Sequence, residues 1–262
     1  MEVADGSFLT KIMMAAFLAA GLAGVAFYKK WLDAGGAIAA FFIGVVVWLA
    51  GSWHTSLPLL VFFLSGSLFS KLGKKNTGAV QGAKEHKPRD YVQVLCNGGI
   101  GTACLLGFVW NGQNSWLLAY FTSLAVSTAD TWGSELGVRF DGRVVDIVGF
   151  KTLPAGISGG VSLVGTVAAL AGSTTIGLCW LLVYGYGFNQ IYLIVSGGFA
   201  GMLLDSILGS KLQSRYRLAN GLPAEEAIGK GARLEKGLAW VTNDMVNIVS
   251  NTVVTATVVL FF

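Results

Sequence analysis

Charged residues are scarce in this chain. Of its 262 residues, 12% are Asp, Glu, Lys or Arg, whereas a soluble domain usually contains about 25%. This scarcity excludes an ordinary soluble domain. By contrast, 54% of the residues are hydrophobic, and several apolar runs approach the ~20 residues that a helix needs to cross a bilayer. The composition therefore predicts a polytopic membrane protein.

Histidine and cysteine are also scarce, and both shortages limit the kinds of catalytic and metal sites that the chain can form. The histidines, His54 and His86, lie far from the acidic residues of the apolar runs, which argues against a histidine-based nucleophilic triad. The cysteines, Cys96, Cys104 and Cys179, lie inside apolar runs without metal-ligand spacing. No G-x-x-x-x-G-K-[ST] motif occurs, so a P-loop nucleotide site is excluded.

Glycine is abundant, with 36 residues, and small residues let membrane helices approach closely. The hydrophobic runs predict an all-α helix bundle that forms a single transmembrane domain over residues 1–262. We expect about eight spans, of which the sixth could be one helix or broken near Gly172: 8–27, 34–50, 57–70, 92–110, 116–138, 157–187, 190–211 and 238–261.

The basic residues predict the orientation of these spans. Every Lys and Arg except Lys11 lies in or beside the connections 28–33, 71–91, 139–156 and 212–237, and the opposite connections contain none. The positive-inside rule places these basic loops in the cytoplasm and both termini on the other side. The acidic start of the chain favours a retained first span over a cleaved signal. The net charge of +4 therefore reflects topology and does not require a nucleic-acid partner.

Acidic and amide side chains recur near the predicted cytoplasmic ends of several spans. Asp130 and Glu135 share the polar face of the fifth span, and Asp205 lies near the end of the seventh. The eighth and fourth spans add Asn243, Asp244, Asn247 and Asn97 at similar depth. A carboxylate in hydrocarbon is costly unless it is paired or hydrated. We therefore expect these faces to surround one cavity, although polar residues can also serve as helix-to-helix hydrogen bonds.

The predicted cytoplasmic loops supply cations and glycine-rich segments that could bind phosphate. Glycines at 97–101 and 156–160 would expose backbone N–H groups at helix N-termini, which attract anions. Simple positive-inside retention is the alternative for the basic residues. The candidate phosphate-binding residues are Lys84, Lys87, Arg89, Lys151, Lys211, Ser158, Gly159 and Gly160.

Carboxylates, amides and phosphates together favour Mg²⁺, which prefers hard oxygen ligands. Transfer of a phosphoryl group onto an existing phosphate is a reaction that needs no histidine base. The second pKa of the acceptor phosphate is about 6, so the acceptor is mostly deprotonated at neutral pH. Positioning and charge neutralisation then provide most of the catalysis.

Five sequence stretches resemble one family of polytopic membrane proteins over roughly residues 30–260. They are Y-V-Q-V-L-C-N-G-G at 91–99, S-T-A-D-T-W-G-S-E-L-G at 127–137, P-A-G-I-S-G-G-V-S-L-V-G-T at 154–166, G-F-A-G-M-L-L-D-S-I-L-G-S-K-L-Q at 198–213 and N-D-M-V-N at 243–247. The family includes the plant chloroplast phytyl-phosphate kinase of tocopherol and phylloquinone synthesis, and a human transmembrane protein of unknown role.

The resemblance implies phosphoryl transfer from a nucleoside triphosphate, with CTP expected, to an isoprenoid monophosphate such as phytyl phosphate. It also implies a bacterial plasma membrane or a thylakoid or plastid-type membrane. We assign Mg²⁺ binding to Asp130, Glu135, Asp205 and Asp244, and orientation of ligands to Asn97, Asn243 and Asn247. The partners would be the isoprenoid phosphate, the nucleotide and membrane lipid, and a homo-oligomer is compatible with this interpretation.

Two other functions remain open at the level of sequence. A cation- or proton-coupled transporter could use the buried acids, although transporter sites usually lie near the bilayer midplane. A protein of structural assembly could use the polar faces only to hold its helices together.

Overall fold

The computed structural model describes residues 6–71, 87–140, 142–185, 187–227 and 229–262. Eight helical segments are found in these ranges, in agreement with the predicted count. They are α1 Gly6–Tyr28, α2 Ala34–Gly51, α3 Trp53–Lys71, α4 Tyr91–Asn111, α5 Asn114–Arg139, α6 Leu163–Tyr184, α7 Phe188–Lys211 and α8 Asn243–Phe261.

Side-chain caps set the starts of four helices. The Asp33 carboxylate accepts from the Gly36 N–H at 2.7 Å at the start of α2, and the Asp90 carboxylate accepts from the Gln93 N–H at 2.9 Å at the start of α4. The hydroxyls of Ser162 and Thr242 cap α6 and α8 in the same way. Each cap satisfies an N–H group that has no partner within its helix.

Helix α5 is the centre of the bundle. It packs against α3, α4, α6, α7 and α8, and its residues from Leu117 to Ala129 are all buried. Seven of the described helices are long and apolar enough to cross a membrane, and α5 is not among them. Its neighbours shield it from lipid, so its sequence can be more polar than theirs. This explains how the aspartate and glutamate of the fifth predicted span are accommodated.

Glycines allow the helices around α5 to pack closely. A Cβ at Gly172 of α6 would lie 3.0 Å from the Thr128 carbonyl oxygen of α5. A Cβ at Gly198 of α7 would lie 2.7 Å from the Ala125 Cβ, and one at Gly201 would lie 2.5 Å from Val126. Glycine is therefore needed where α6 and α7 contact α5.

The basic connections lie at one end of the bundle. Lys71 donates to the Lys29 carbonyl at 3.0 Å, and the backbones of Arg89 and Leu32 form a parallel β-bridge. Glu225 accepts from the Ser158 N–H. At the opposite end the ring of His54 stacks near Tyr184. The alternation of the connections thus agrees with eight crossings. Which end faces the cytoplasm stays a prediction.

The main differences from the predicted spans concern the basic connections. Helix α6 is continuous from Leu163 to Tyr184 and starts later than predicted, because residues before it form strand β2 (Gly160–Val161), which pairs antiparallel with β1 (Val145–Asp146). Helix α8 starts at Asn243, and the chain before it forms a three-stranded antiparallel sheet of β3 (Arg215–Arg217), β4 (Pro223–Ala224) and β5 (Arg233–Lys236).

Neither glycine-rich segment is a helix N-terminus, so that expectation was wrong. The glycines at 97–101 lie within α4, where Leu95–Gly99 form a π-helical turn. The segment 156–160 precedes α6 and includes Gly156 and Gly159 with φ of +89° and +82°. Such backbone angles suit glycine and break the helix.

Candidate functional site

A polar cavity of about 240 Å³ lies at the end of the bundle that carries the basic connections. Residues from α4, α5, α6, α7, α8 and the segment before α6 line it. Its charged and amide-bearing lining residues are Arg89, Gln93, Asn97, Asp130, Glu135, Asp205, Glu225, Asn243, Asp244 and Asn247. All four acids and all three asparagines that we selected from the sequence line this one cavity.

Helix α5 carries Asp130 and Glu135 into the cavity from its last three turns. Thr131 and Ser134 line the same surface. The helix is held at this depth by Trp132, whose Nε1 donates to Ser65 Oγ of α3 at 3.0 Å. On the other side, Gly133 and Gly137 face Gly165 of α6, where a Cβ on either would lie 3.2 Å from that residue.

Helices α7 and α8 contribute a hydrogen-bonded group of one carboxylate and two amides. Ser250 Oγ donates to Asp205 Oδ2 at 3.1 Å. The side-chain amide of Asn247 is oriented so that both its nitrogen and its oxygen have partners. Its nitrogen donates to Asp205 Oδ2 at 2.8 Å, and its oxygen accepts from Asn243 Nδ2 at 3.3 Å. Asp244 lies in the first turn of α8, where the helix dipole stabilises a negative charge.

The π-helical turn of α4 places Asn97 in the cavity wall. Asn97 Nδ2 donates to the Gln93 carbonyl at 2.9 Å, which leaves Oδ1 as the acceptor of that side chain. Its backbone carbonyl accepts from Ser127 Oγ of α5 at 2.9 Å, and Asn251 of α8 donates to the same hydroxyl at 3.1 Å. Side chains thus hold three helices around this turn. Turns of this type often occur at functional sites.

Arg89 is the one cation among the described residues that line the cavity. Its backbone N–H donates to the Trp31 carbonyl and its carbonyl accepts from the Asp33 N–H, both at 3.0 Å. Burial lowers the pKa of Arg89, and the Glu135 carboxylate opposes this shift. A guanidinium stays charged in proteins, so Arg89 brings a fixed positive charge to an acidic cavity.

The segment before α6 closes one side of the cavity and is held by the loop after α7. Glu225 accepts from the Ser158 N–H at 2.7 Å, and Arg215 donates to the Ser158 carbonyl at 3.1 Å. A Cβ on Gly159 would lie 2.5 Å from Ser210 of α7, so this contact requires glycine.

Asp146 of β1 anchors the same segment outside the membrane-spanning helices. It accepts from Ser210 Oγ at 2.6 Å and from the N–H groups of Val148 and Gly149, and it pairs with Lys236 at 3.6 Å. Burial acts to raise the pKa of Asp146, but these hydrogen bonds and Lys236 together lower it to about 2.

Only some of the predicted phosphate-binding residues line the cavity. Arg89, Ser158, Gly159 and Gly160 line the cavity, whereas Lys87, Lys151 and Lys211 are exposed and do not line it. Lys84 lies outside the described residues. Glu225 was not predicted from the sequence, because an acidic residue in a loop without periodicity gives no signal of which residues it contacts.

The donor set of the cavity consists of hard oxygen ligands, which suit Mg²⁺. Among the described residues, no group of three His, Cys, Asp or Glu could hold a metal ion by itself. Mg²⁺ is commonly held by one or two carboxylates together with waters and substrate phosphates. An ion bound here would therefore need further ligands from water or a substrate, with Asp130, Glu135, Asp205 and Asp244 as its candidate carboxylates.

The helices and the cavity define a class: this is a polytopic α-helical membrane protein with an acidic cavity at one end of its bundle. The chain belongs to the family described as Integral membrane protein DUF92, which matches residues 17–255. This confirms the family resemblance and the membrane location. No solved structure matches the chain.

Several relatives are similar over most of the chain. Protein PGR of Arabidopsis thaliana is 34% identical over 78% of this chain and 79% of its own length. An uncharacterized membrane protein of Synechocystis is 29% identical over 91% of this chain and 85% of its own length. Protein VTE6, chloroplastic, of Arabidopsis thaliana is 24% identical over 84% of this chain and 62% of its own length.

Proposed function

We propose that this protein is a membrane-embedded kinase that transfers a phosphoryl group from a nucleoside triphosphate, in the first instance CTP, to an isoprenoid monophosphate such as phytyl phosphate. The observation that carries this proposal is that five carboxylates and one guanidinium line a single cavity of about 240 Å³ at one end of the bundle. The motif resemblance to the family of the plant phytyl-phosphate kinase supports the lipid acceptor.

The charge balance of the cavity favours phosphate together with a divalent cation. Five carboxylates would repel a polyanion, and Arg89 offsets one of them. The carboxylates of Asp130, Glu135, Asp205 and Asp244 would hold Mg²⁺, and the ion would supply neutralisation of the phosphate charge. The cavity is smaller than the ~300–1,000 Å³ of pockets that enclose a drug-sized ligand. In the proposed complex, the reacting phosphates occupy this volume and the nucleoside lies outside it.

In the proposed reaction, an oxygen of the acceptor monophosphate attacks the γ-phosphorus of the triphosphate. The bond between that phosphorus and the β–γ bridging oxygen breaks, and the products are the isoprenoid diphosphate and CDP. The acceptor is mostly dianionic at neutral pH, because its second pKa is near ~6, so no side chain has to remove a proton. Arg89 holds the acceptor phosphate, while Asn247 orients the Asp205 carboxylate and is itself held by Asn243.

A transporter is less well supported. The cavity lies at one end of the bundle, and the opposite half is filled by buried side chains that include Tyr120, Phe121, Leu124 and Ile176. A pathway across the membrane would have to open this packed region.

Purified protein with Mg²⁺, CTP and phytyl monophosphate should form phytyl diphosphate, measured with γ-labelled nucleotide. Asp130→Asn should reduce turnover about 100-fold or more, by analogy with the loss of other electrostatic groups in active sites. Glu235→Gln is the matched control and should leave turnover unchanged, because Glu235 lies on the exposed strand β5 and does not line the cavity. Absence of turnover with every nucleotide and isoprenoid phosphate tested would refute the proposal.

A further inference from the structure

A second cavity adjoins the polar one. It has a volume of about 100 Å³, lies among α1, α2, α3 and α4, and is lined mainly by small and apolar residues such as Ala23, Ala40, Gly44 and Phe63. Arg89, Gln93 and Asn97 line both cavities. We call this second cavity the apolar groove. The two cavities thus meet at these three residues, with a polar lining on one side and an apolar lining on the other.

Arg89 lies at the junction of the two compartments. The turn between α1 and α2 fixes its backbone. Its guanidinium packs beside α3, where a Cβ on Gly66 would lie 3.3 Å from Arg89 Nη2. A cation at this position is complementary to a ligand with an anionic head in the polar cavity and an apolar tail in the groove.

We propose that the apolar groove holds the first isoprene unit of the lipid monophosphate, with its phosphate on Arg89, and that the rest of the tail continues into the bilayer. This rests on the proposed function. A cavity of ~150 Å³ binds the six carbons of benzene, so about 100 Å³ suits one five-carbon unit. Leu22, which lines the groove, is 42% exposed, so this lining residue also reaches the outer surface of the bundle.

Photo-crosslinking tests this placement without any need for turnover. A C20 isoprenyl monophosphate with a diazirine on its first isoprene unit should label peptides of α1, α2 or α3. Excess unlabelled isoprenyl monophosphate should suppress the labelling, and inorganic phosphate should not. Suppressible labelling of α6 or α7 instead would place the first isoprene unit outside the groove, and labelling that the unlabelled lipid phosphate does not suppress would show ordinary bilayer lipid in the groove. Either result would overturn the inference.

Variants that fill the groove provide a second test. Ala40→Phe should lower specific labelling at least 10-fold and raise the KM for phytyl phosphate by a similar factor. Ala20→Phe, on the exposed side of α1 outside the groove, should change neither. If Ala40→Phe does not fold, Ala40→Cys alkylated in the folded protein replaces it. Equal effects at positions 20 and 40, or no effect at position 40, would overturn the inference.

The two assays separate the inference from the proposed function. Specific labelling in the groove without diphosphate formation would refute the kinase and retain the lipid-phosphate site. Diphosphate formation with specific labelling elsewhere would retain the kinase and refute the groove.

Discussion

Asp146 shows how a single carboxylate can hold the rim of the cavity in place. It receives hydrogen bonds from α7 and from its own turn, and it faces Lys236 of β5. Because these groups stabilise the ionised form, the pKa of Asp146 falls from 3.8 to about 2. The ionised carboxylate therefore contributes to the stability of the folded protein.

The sign of the pH dependence follows from the lowered pKa. The contribution is complete above the unfolded pKa, near 4, and is lost as the pH falls to about 2. We therefore expect Asp146→Asn to lower the melting temperature in detergent at pH 7, and we expect the gap from wild type to shrink between pH 4 and pH 2. Glu226→Gln, at an exposed position, should have little effect. A gap that is unchanged at pH 2 would contradict this assignment.

Helix packing depends on glycine at the contacts of α5. Gly172→Ala would place a methyl group 3.0 Å from the Thr128 carbonyl oxygen, which belongs to the backbone of a buried helix and cannot move aside easily. We expect a loss of about 1–3 kcal/mol in the free energy of unfolding, measured as a lower melting temperature.

Gly24→Ala is the control for this prediction. A Cβ at Gly24 of α1 meets no atom within 4 Å, and alanine favours a helix over glycine by about 1 kcal/mol. This variant should be neutral or slightly more stable. Equal melting temperatures for Gly172→Ala and wild type would contradict close packing of α5 and α6.

At the scale of the whole molecule, the orientation can be tested by labelling single cysteines. The native cysteines Cys96, Cys104 and Cys179 are buried, so background labelling should be low. Gln113→Cys and Ala219→Cys lie at exposed positions at opposite ends of the bundle. An impermeant maleimide should label the first in intact cells and the second only after permeabilisation. The reverse pattern would invert the predicted topology and place the cavity outside.

The arrangement of the whole bundle also explains which functional residues could be found in advance. Asp130, Asp205 and Asp244 were conspicuous because ionisable residues are costly in apolar runs, and the structure brings them to one cavity. Lys151 and Lys211 were selected only as loop cations, and they do not line it. Glu225 could not be selected, since its hydrogen bond to Ser158 joins residues far apart in the chain.

The sequence by itself determined the membrane class, the number of helices and the common depth of the polar faces, because hydrophobic length and helical period are local properties. The tertiary structure decided where α6 and α8 start and where the π-helical turn at Asn97 lies. It also decided that Arg89, and not Lys87, Lys151 or Lys211, lines the polar cavity, and it created the apolar groove. Each depends on contacts between helices that are distant in the chain, and a pattern within one segment does not record which surface its neighbour presents.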